Sequence, residues 1–201
     1  LEDAIFDIVN QLNRGSHLIT DVGERQRVAG LNLITGKRAK ASTAYASALN
    51  YLHAGRSLLS EETWERNYDL IFSIESLMAE CELLTAEMVA AESRLTMLAQ
   101  RARSRHDFAV VTRSQLTLYT TLDRSDRAIE VFLDYLRRNG TDWSQHPTRD
   151  DVMREYNRIW SLVGDRQIED LVDLPLLDDP DVLDMLDVFT EIVHPAMFFD
   201  E

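Results

Sequence analysis

The fold is decided by residues 56–139, which read RSLLSEETWERNYDLIFSIESLMAECELLTAEMVAAESRLTMLAQRARSRHDFAVVTRSQLTLYTTLDRSDRAIEVFLDYLRRN. This run contains neither glycine nor proline. Glycine and proline mark the turns between short strands, so a β-meander is hardly compatible with it. Apolar residues recur along the run with helical spacing. The sequence therefore predicts an all-α chain.

Size and charge narrow the class of protein. A compact chain of 201 residues buries roughly 70% of its unfolded surface, which is enough for a hydrophobic core. The net charge of −14 disfavours nucleic acid and anionic membranes as the main partner. Its one cysteine, Cys81, cannot form an internal disulfide framework. A single thiol fits a reducing cytoplasm, where we expect the protein to lie, and no apolar run is long enough for a membrane span. Because the sequence begins and ends abruptly, at LEDAIF and MFFDE, we expect it to be cut from a longer polypeptide.

Three segments of the chain share one pattern. A large or polar residue, an alanine and a large residue recur at offsets 0, 3 and 7: Tyr45, Ala48, Leu52; Met88, Ala91, Leu95; Ser125, Ala128, Phe132. In a tetratricopeptide-type hairpin, the small residue of the second helix presses on the first helix. The spacings of 43 and 37 residues exceed the standard ~34. The pattern predicts an α-solenoid of tetratricopeptide-like hairpins, although a helical bundle could also alternate small and large residues.

The predicted helices follow from caps and periodicity. Asp21 and Glu24 form a variant capping box, and Gly36 is predicted to end the helix that they begin. Ser60 is predicted to cap the helix that ends near Leu84. The other predicted helices span about 2–19, 38–59, 87–102, 105–122, 125–138 and 149–163.

The chain changes character after Gly140. Residues 1–140 are predicted to form the repeats, and residues 141–201 a helical extension of the same array. From Asp165 onward there are twelve acids and one base. Asp179 and Pro180 begin a last helix with an N-cap and a first-position proline. This extension is predicted to be an acidic helical cap.

Motifs that carry chemistry are missing or broken. Gly30–Arg38, GLNLITGKR, resembles a phosphate-binding loop, but five residues separate its glycines and Arg38 follows the lysine. The five histidines show no metal-ligand spacing, and the acids near Asp178 are explained by helix capping. We therefore expect this segment to be no enzyme and to hold no cofactor or metal.

One basic cluster is a candidate docking patch for an acidic protein surface or a phosphate. It consists of Arg101, Arg103, Arg105 and Arg113, with His106 beside them. The alternative is an ordinary solvated helix end.

Three stretches carry a family resemblance: residues 31–59, LNLITGKRAKASTAYASALNYLHAGRSLL, residues 119–148, YTTLDRSDRAIEVFLDYLRRNGTDWSQHPT, and residues 192–201, IVHPAMFFDE. They resemble the helical-repeat region of very large bacterial signalling proteins. Those proteins join a serine/threonine-kinase-like domain, a STAND-type predicted ATPase, the helical region, a GAF domain and often a histidine kinase. The resemblance covers essentially the whole chain. Relatives tend to have a glycine-containing turn where this chain has Ala86 and Glu87.

The resemblance implies a non-catalytic segment that couples the ATPase to downstream modules or binds a partner protein. Its implied partners are the adjacent ATPase, GAF or kinase modules, or a helix or peptide of another protein. The alternative is a small-molecule sensor, in which a pocket between hairpins binds an inducer.

Overall fold

The computed structural model describes residues 4–199 and shows helices and connectors, with no strand among them. The predicted all-α class is confirmed. The described residues group into two compact units that divide between Arg103 and Ser104. The predicted organisation into residues 1–140 and 141–201 stays a prediction. Within the described range, no helix is long and apolar enough to cross a membrane.

The first unit contains two helical hairpins. Its helices are α1 (Ala4–Arg14), α2 (Val22–Ala41), α3 (Tyr45–Ser57), the one-turn α4 (Thr63–Arg66), α5 (Tyr68–Leu84) and α6 (Met88–Arg101). Helix α2 packs on α3, and α5 packs on α6. Helix α3 also packs on α5, which joins the two hairpins. Side chains such as Leu52, Ile74 and Leu95 fill the core between them.

The second unit has one hairpin and a covering helix. Its helices are α7 (Arg105–Thr121), α8 (Ser125–Arg138), α9 (Arg149–Val163) and α10 (Pro180–Met197). A 3-10 segment, Ile168–Asp173, lies between α9 and α10. Helix α10 packs against both α7 and α8 and buries Val188 and Ile192 there.

All three hairpins turn in the same way. The middle residue of each three-residue turn is left-handed and is not glycine: Thr43 has φ 59°, Ala86 has φ 62° and Asp123 has φ 54°. The residue after it donates its backbone N–H to a carbonyl five positions earlier, as in a Schellman motif. These bonds join Ala44 to Ala39, Glu87 to Glu82 and Arg124 to Tyr119, at 2.9, 2.8 and 2.8 Å. The sequence repeat is thus also a repeat of backbone conformation.

The repeat register places the same kind of residue inside each hairpin. Ala48, Ala91 and Ala128 each have no exposed surface. The unequal repeat spacing arises outside the hairpins, because α5 and α7 are both 17 residues long. Residues 58–67, which include α4, separate the first two hairpins, whereas residues 102–104 separate the next two.

Several predicted helix ends are confirmed. Asp21 accepts a hydrogen bond from the backbone of Glu24, α9 spans 149–163 as predicted, and Asp179 caps α10. Gly140 follows α8 with φ 84°.

Other predicted ends are wrong. The first helix is shorter than 2–19, because α1 ends at Arg14 and a separate 3-10 turn follows. Ser60 caps no helix, since the chain forms the short α4 and begins α5 at Tyr68.

The prediction that Gly36 ends α2 and that the next helix begins near residue 38 is wrong, because α2 continues to Ala41 and α3 begins at Tyr45. Gly36 lies inside α2, where α3 crosses closely. A Cβ at Gly36 would come within 3.0 Å of the Leu52 side chain. A Cβ at Gly55 would come within 2.9 Å of the Asn32 Cβ and 3.3 Å of the Ala29 carbonyl oxygen. The two glycines therefore set how closely α2 and α3 approach.

Replacing Ala86 with glycine should stabilise the chain by about 0.5–1 kcal/mol, because a left-handed conformation strains any residue with a Cβ. The matched control is Ala90→Gly in α6, which should destabilise by about 1 kcal/mol because Ala90 is exposed and helical. Urea unfolding of both variants measures the two signs. A loss of stability in Ala86→Gly would contradict the assigned turn.

Gly55→Ala should destabilise the chain by about 1–3 kcal/mol, because the new methyl group overpacks against α2. Asn32 cannot move aside freely, since its side chain exchanges hydrogen bonds with Asn13 at 2.8 and 2.9 Å. Gly30→Ala, at a helical position with nothing within 4 Å of the new Cβ, should instead stabilise by up to about 1 kcal/mol. Thermal unfolding that moves both variants in the same direction would refute the close approach.

Candidate interaction surfaces

Two arginines of the predicted docking patch stack on aromatic rings in the first unit. The guanidinium of Arg101 lies 4.6 Å from the ring centroid of Trp64 and donates to Glu61 at 3.0 Å. The guanidinium of Arg103 lies 4.4 Å from the centroid of Tyr68 and donates to the Trp64 carbonyl oxygen at 2.9 Å. Both side chains are thus engaged within their own unit.

The other two arginines lie on α7 and face α10. Arg105 pairs with Asp181 at 3.4 Å, and Arg113 pairs with Asp187 at 2.8 Å. Each predicted docking arginine therefore has a carboxylate partner in its own unit: Arg101 with Glu61, Arg103 with Glu65, Arg105 with Asp181 and Arg113 with Asp187. The docking role predicted for these residues stays a prediction.

A buried charge cluster joins α3, α5 and α6. The Glu75 and Glu82 side chains are only 4% and 2% exposed. Arg94 donates from Nε and Nη2 to both oxygens of Glu82, at 2.9 and 2.7 Å, and from Nη1 to Glu75. Arg56 donates from Nε to Glu75 at 2.5 Å and from Nη2 to Glu61 at 2.6 Å. We refer to Arg56, Glu75, Glu82 and Arg94 as the buried charge cluster.

The side chains of the cluster stay charged because they pair with one another. Burial by itself would lower the pKa of Arg94, but its hydrogen bonds to Glu82 and the charges of Glu75 and Glu82 raise the pKa above the ordinary value. A buried carboxylate without such a partner is costly. The cluster therefore fastens three helices to one another. Sequence reasoning missed it, although Glu75 and Glu82 stand two helical turns apart in α5.

Cys81 and the residue types that bind metals are the other candidates for chemistry. Cys81 is buried, and that burial raises the pKa of its thiol to about 11. Among residues 4–199, no three histidine, cysteine, aspartate or glutamate side chains are grouped so that they could hold a metal ion.

Helix α9 has well-formed ends but buries none of its residues. Thr148 and Asp151 exchange hydrogen bonds in a capping box, and the bond from Thr148 lowers the pKa of the Asp151 carboxyl. Val152, Tyr156 and Ile159 follow one another at helical spacing, and each is more than half exposed. An amphipathic helix normally buries such a stripe against its own protein.

A groove runs between α9 and the connector that precedes it. Its volume is about 610 Å³, and its apolar lining comprises Trp143, Pro147, Val152, Tyr156 and Ile159. We refer to these residues, with the polar lining residues Asp142, Ser144, Asp151, Arg154 and Glu155, as the α9 groove.

The connector wall of the groove is anchored to the body of the second unit. The Trp143 ring meets Phe189 of α10 edge-on, with centroids 5.9 Å apart, and Phe189 meets Phe132 of α8 at 5.1 Å. These contacts fix one wall of the groove.

The sequence is similar to part of a large signalling protein. Over 177 residues it is 26% identical to the hybrid signal transduction histidine kinase G of Dictyostelium discoideum. The match covers 84% of this chain but only 5% of that protein's length. No family model matches the sequence, and no solved structure matches it. This weak homologue is a hybrid signal transduction histidine kinase, which agrees with the resemblance to large signalling proteins.

Arg94→Leu should destabilise the chain by about 3–5 kcal/mol, because it leaves two buried carboxylates without their shared partner. Adding Glu82→Gln to this variant should recover part of the loss. Arg66→Leu is the matched control: Arg66 pairs with Glu62 on the surface of the same unit, so its loss should cost less than about 1 kcal/mol. Denaturant unfolding that gives equal losses for Arg94→Leu and Arg66→Leu would contradict the role of the cluster.

Proposed function

We propose that this chain is a helical-repeat segment of a larger signal-transduction protein, built from tetratricopeptide-like hairpins, and that it works by binding protein segments. The repeated turn conformation and the three buried alanines support the repeat. The similarity to 5% of a hybrid histidine kinase supports the signalling context.

A solenoid arrangement is supported because each hairpin needs a neighbouring hairpin to cover its apolar face. A single hairpin cannot bury its apolar face alone, so repeats of this kind complete one another's cores. In the first unit, α3 of one hairpin packs on α5 of the next. In the second unit, α10 lies across the α7/α8 hairpin, with Asp181 and Asp187 toward the arginines of α7. Helix α10 would then be the acidic cap of the array.

The observation that carries the binding function is the open apolar face of α9. Side chains of this size and spacing gain free energy, about 25 cal/mol for each Å² of apolar surface, when a partner covers them. Contiguous exposed apolar surface commonly marks a protein interaction site. Its partner would be another module of the same parent, such as the ATPase, GAF or kinase module implied by the resemblance, or a segment of a second cytoplasmic protein. The segment itself would couple the ATPase module to downstream modules or bind a partner protein. Catalysis would belong to other modules of the parent.

A small-molecule sensor is the second candidate, and the volume of the α9 groove favours it. Pockets for small ligands typically measure ~300–1,000 Å³, and this groove falls within that range. Such pockets also enclose most of their ligand, whereas Trp143 and Tyr156 stand about half exposed. We therefore give protein binding precedence.

Photo-crosslinking in the intact parent protein tests protein binding. With p-benzoylphenylalanine in place of Tyr156, we expect crosslinks to a defined protein segment, identified by mass spectrometry. Asp150 is the matched control position, because it is exposed and lies on the opposite side of α9 from Val152 and Ile159. At least fivefold more crosslinking from position 156 than from position 150 is expected. Equal yields, or no protein crosslink at position 156, would refute the proposed function.

A further inference from the structure

The charged contacts described between α7 and α10 are divided by sign, because α7 supplies the basic side chains and α10 supplies the carboxylates. The contacts are Arg105 with Asp181 at 3.4 Å, His106 Nδ1 with Asp184 at 2.8 Å, and Arg113 with Asp187 at 2.8 Å. We refer to Arg105, His106 and Arg113 as the basic face of α7. Residues three positions apart lie on the same side of a helix, so the three acids form a row along α10.

These charged contacts are mostly exposed to solvent. The Arg105 and Asp181 side chains are 71% and 54% exposed, and those of Arg113 and Asp187 are 41% and 55% exposed. Exposed ion pairs contribute little to stability, and dissolved salt screens them. They therefore select the charge of the helix that lies on α7 more than they hold that helix in place.

The apolar contacts that hold α10 form one narrow stripe. Val188 and Ile192 are buried, and the ring of Phe189 meets that of Phe132 of α8 edge-on. Other large apolar side chains of α10 are exposed: Val182, Leu183, Leu186, Val193 and Met197. Helix α7 buries six of its residues and α10 only three, although the two helices are 17 and 18 residues long. Helix α10 is therefore the less firmly packed of the two.

The chain that leads to α10 is a tether that contributes no core. Every residue between Leu136 of α8 and Val188 of α10 is described, and none of them is buried. The ring of Trp143 meets Phe189 at 5.9 Å, but Trp143 is itself 44% exposed. Because the tether has no core to disrupt, α10 can leave the hairpin and return as a local opening of the second unit.

The surface under α10 shows what kind of helix fits it. It combines the basic face of α7 with apolar surface of α8, which includes Phe132. A helix that covers it needs an apolar stripe with a row of acids beside that stripe, and α10 has both. A basic helix would instead meet like charge there.

We infer that α10 is a releasable occupant of the α7/α8 hairpin, and that an acidic amphipathic helix of another module or protein takes its place. A helix that binds only the open form shifts the chain toward that form, whereas docked α10 keeps the surface closed. This inference goes beyond the proposed function, since it assigns a second binding surface and the means by which the chain covers it.

Hydrogen exchange of the full 201-residue chain tests the release. Protection factors of backbone amides in α10 should be at least tenfold lower than those in α7 and α8. Raising NaCl from about 50 to about 500 mM should lower protection in α10 at least twofold, with no such change in the α2/α3 hairpin. Equal protection in α7, α8 and α10 would mean that the three helices open together, and would overturn the inference.

Peptide binding tests whether the uncovered surface accepts a separate helix. The probe is a fluorescein-labelled peptide of residues 179–197, DPDVLDMLDVFTEIVHPAM. Val188→Ser with Ile192→Ser in the full chain should release its own α10, so fluorescence anisotropy should show at least tenfold tighter peptide binding than to the unaltered chain. Leu186→Ser with Val193→Ser is the matched control on the exposed side of α10 and should change binding less than twofold.

The released variant must also keep its α7/α8 hairpin. Hydrogen exchange should show α7 and α8 protected in the Val188→Ser, Ile192→Ser variant once the peptide is bound. Equal peptide binding by the two double variants, or a hairpin that stays unprotected with the peptide present, would overturn the inference.

A neutral peptide tests the role of charge. Replacing the three aspartates of the row with asparagine, and Glu191 with glutamine, should weaken binding to the released variant about threefold to tenfold. The chain carries a net charge of −14, so non-specific electrostatics would favour the neutral peptide instead. Equal or tighter binding of the neutral peptide would overturn the inference.

Paired arginine variants locate the charge effect. Arg105→Gln with Arg113→Gln in the released variant should weaken binding of the acidic peptide about threefold to tenfold. Arg149→Gln with Arg166→Gln removes the same charge outside α7 and should change binding less than twofold. Equal effects of the two pairs would contradict recognition by the basic face of α7.

A second copy of the chain is the remaining occupant. Light scattering that shows a dimer of the unaltered chain, lost in the Val188→Ser, Ile192→Ser variant, would mean that two copies exchange α10, and would overturn binding of a separate helix. None of these measurements reads the crosslink from position 156, so the inference and the proposed function can fail separately.

Discussion

Each hairpin in this chain depends on one left-handed residue between its two helices. That conformation reverses the chain within three residues and lets the next backbone N–H bond to the end of the first helix. Because the reversal is so short, the second helix must lie directly against the first. A small residue one turn into the second helix is then required, and an alanine occupies that position each time.

In the first unit, packing between the two hairpins depends on buried ion pairs as well as on apolar contacts. Helices α3, α5 and α6 share the buried charge cluster, in which Glu75 is held by two guanidinium groups and Glu82 by one. Ion pairs of this kind cost free energy to desolvate, so their net contribution to stability is small although the loss of one partner is costly. The cluster would resist any sliding of α6 along α5, because the forked pair of Arg94 and Glu82 tolerates little displacement.

Much of the fold could be predicted from the sequence, because periodicity and capping are local. The helices at 105–121 and 125–138 and the caps at Asp21 and Asp179 are of this kind. Gly36 was misread because a glycine that ends a helix and a glycine that admits a neighbouring helix look alike in sequence. Long-range ion pairs could not be predicted from the sequence, because partners such as Arg105 and Asp181 are 76 residues apart. The stripe of α9 was visible as a pattern, but only three-dimensional packing shows that it lies uncovered.

The connector that lengthens the first repeat also contributes contacts to the packing of the first unit. Residues 58–67 contain the extra turn α4, and its Trp64 is buried while offering a ring face to Arg101. An insertion between repeats leaves the register of every hairpin intact, so such sites are where a repetitive chain can gain novelty at little structural risk. In this chain the added turn supplies a tryptophan that packs against the last residue of α6. A repeat of standard length would have no residue at that place to make the contact.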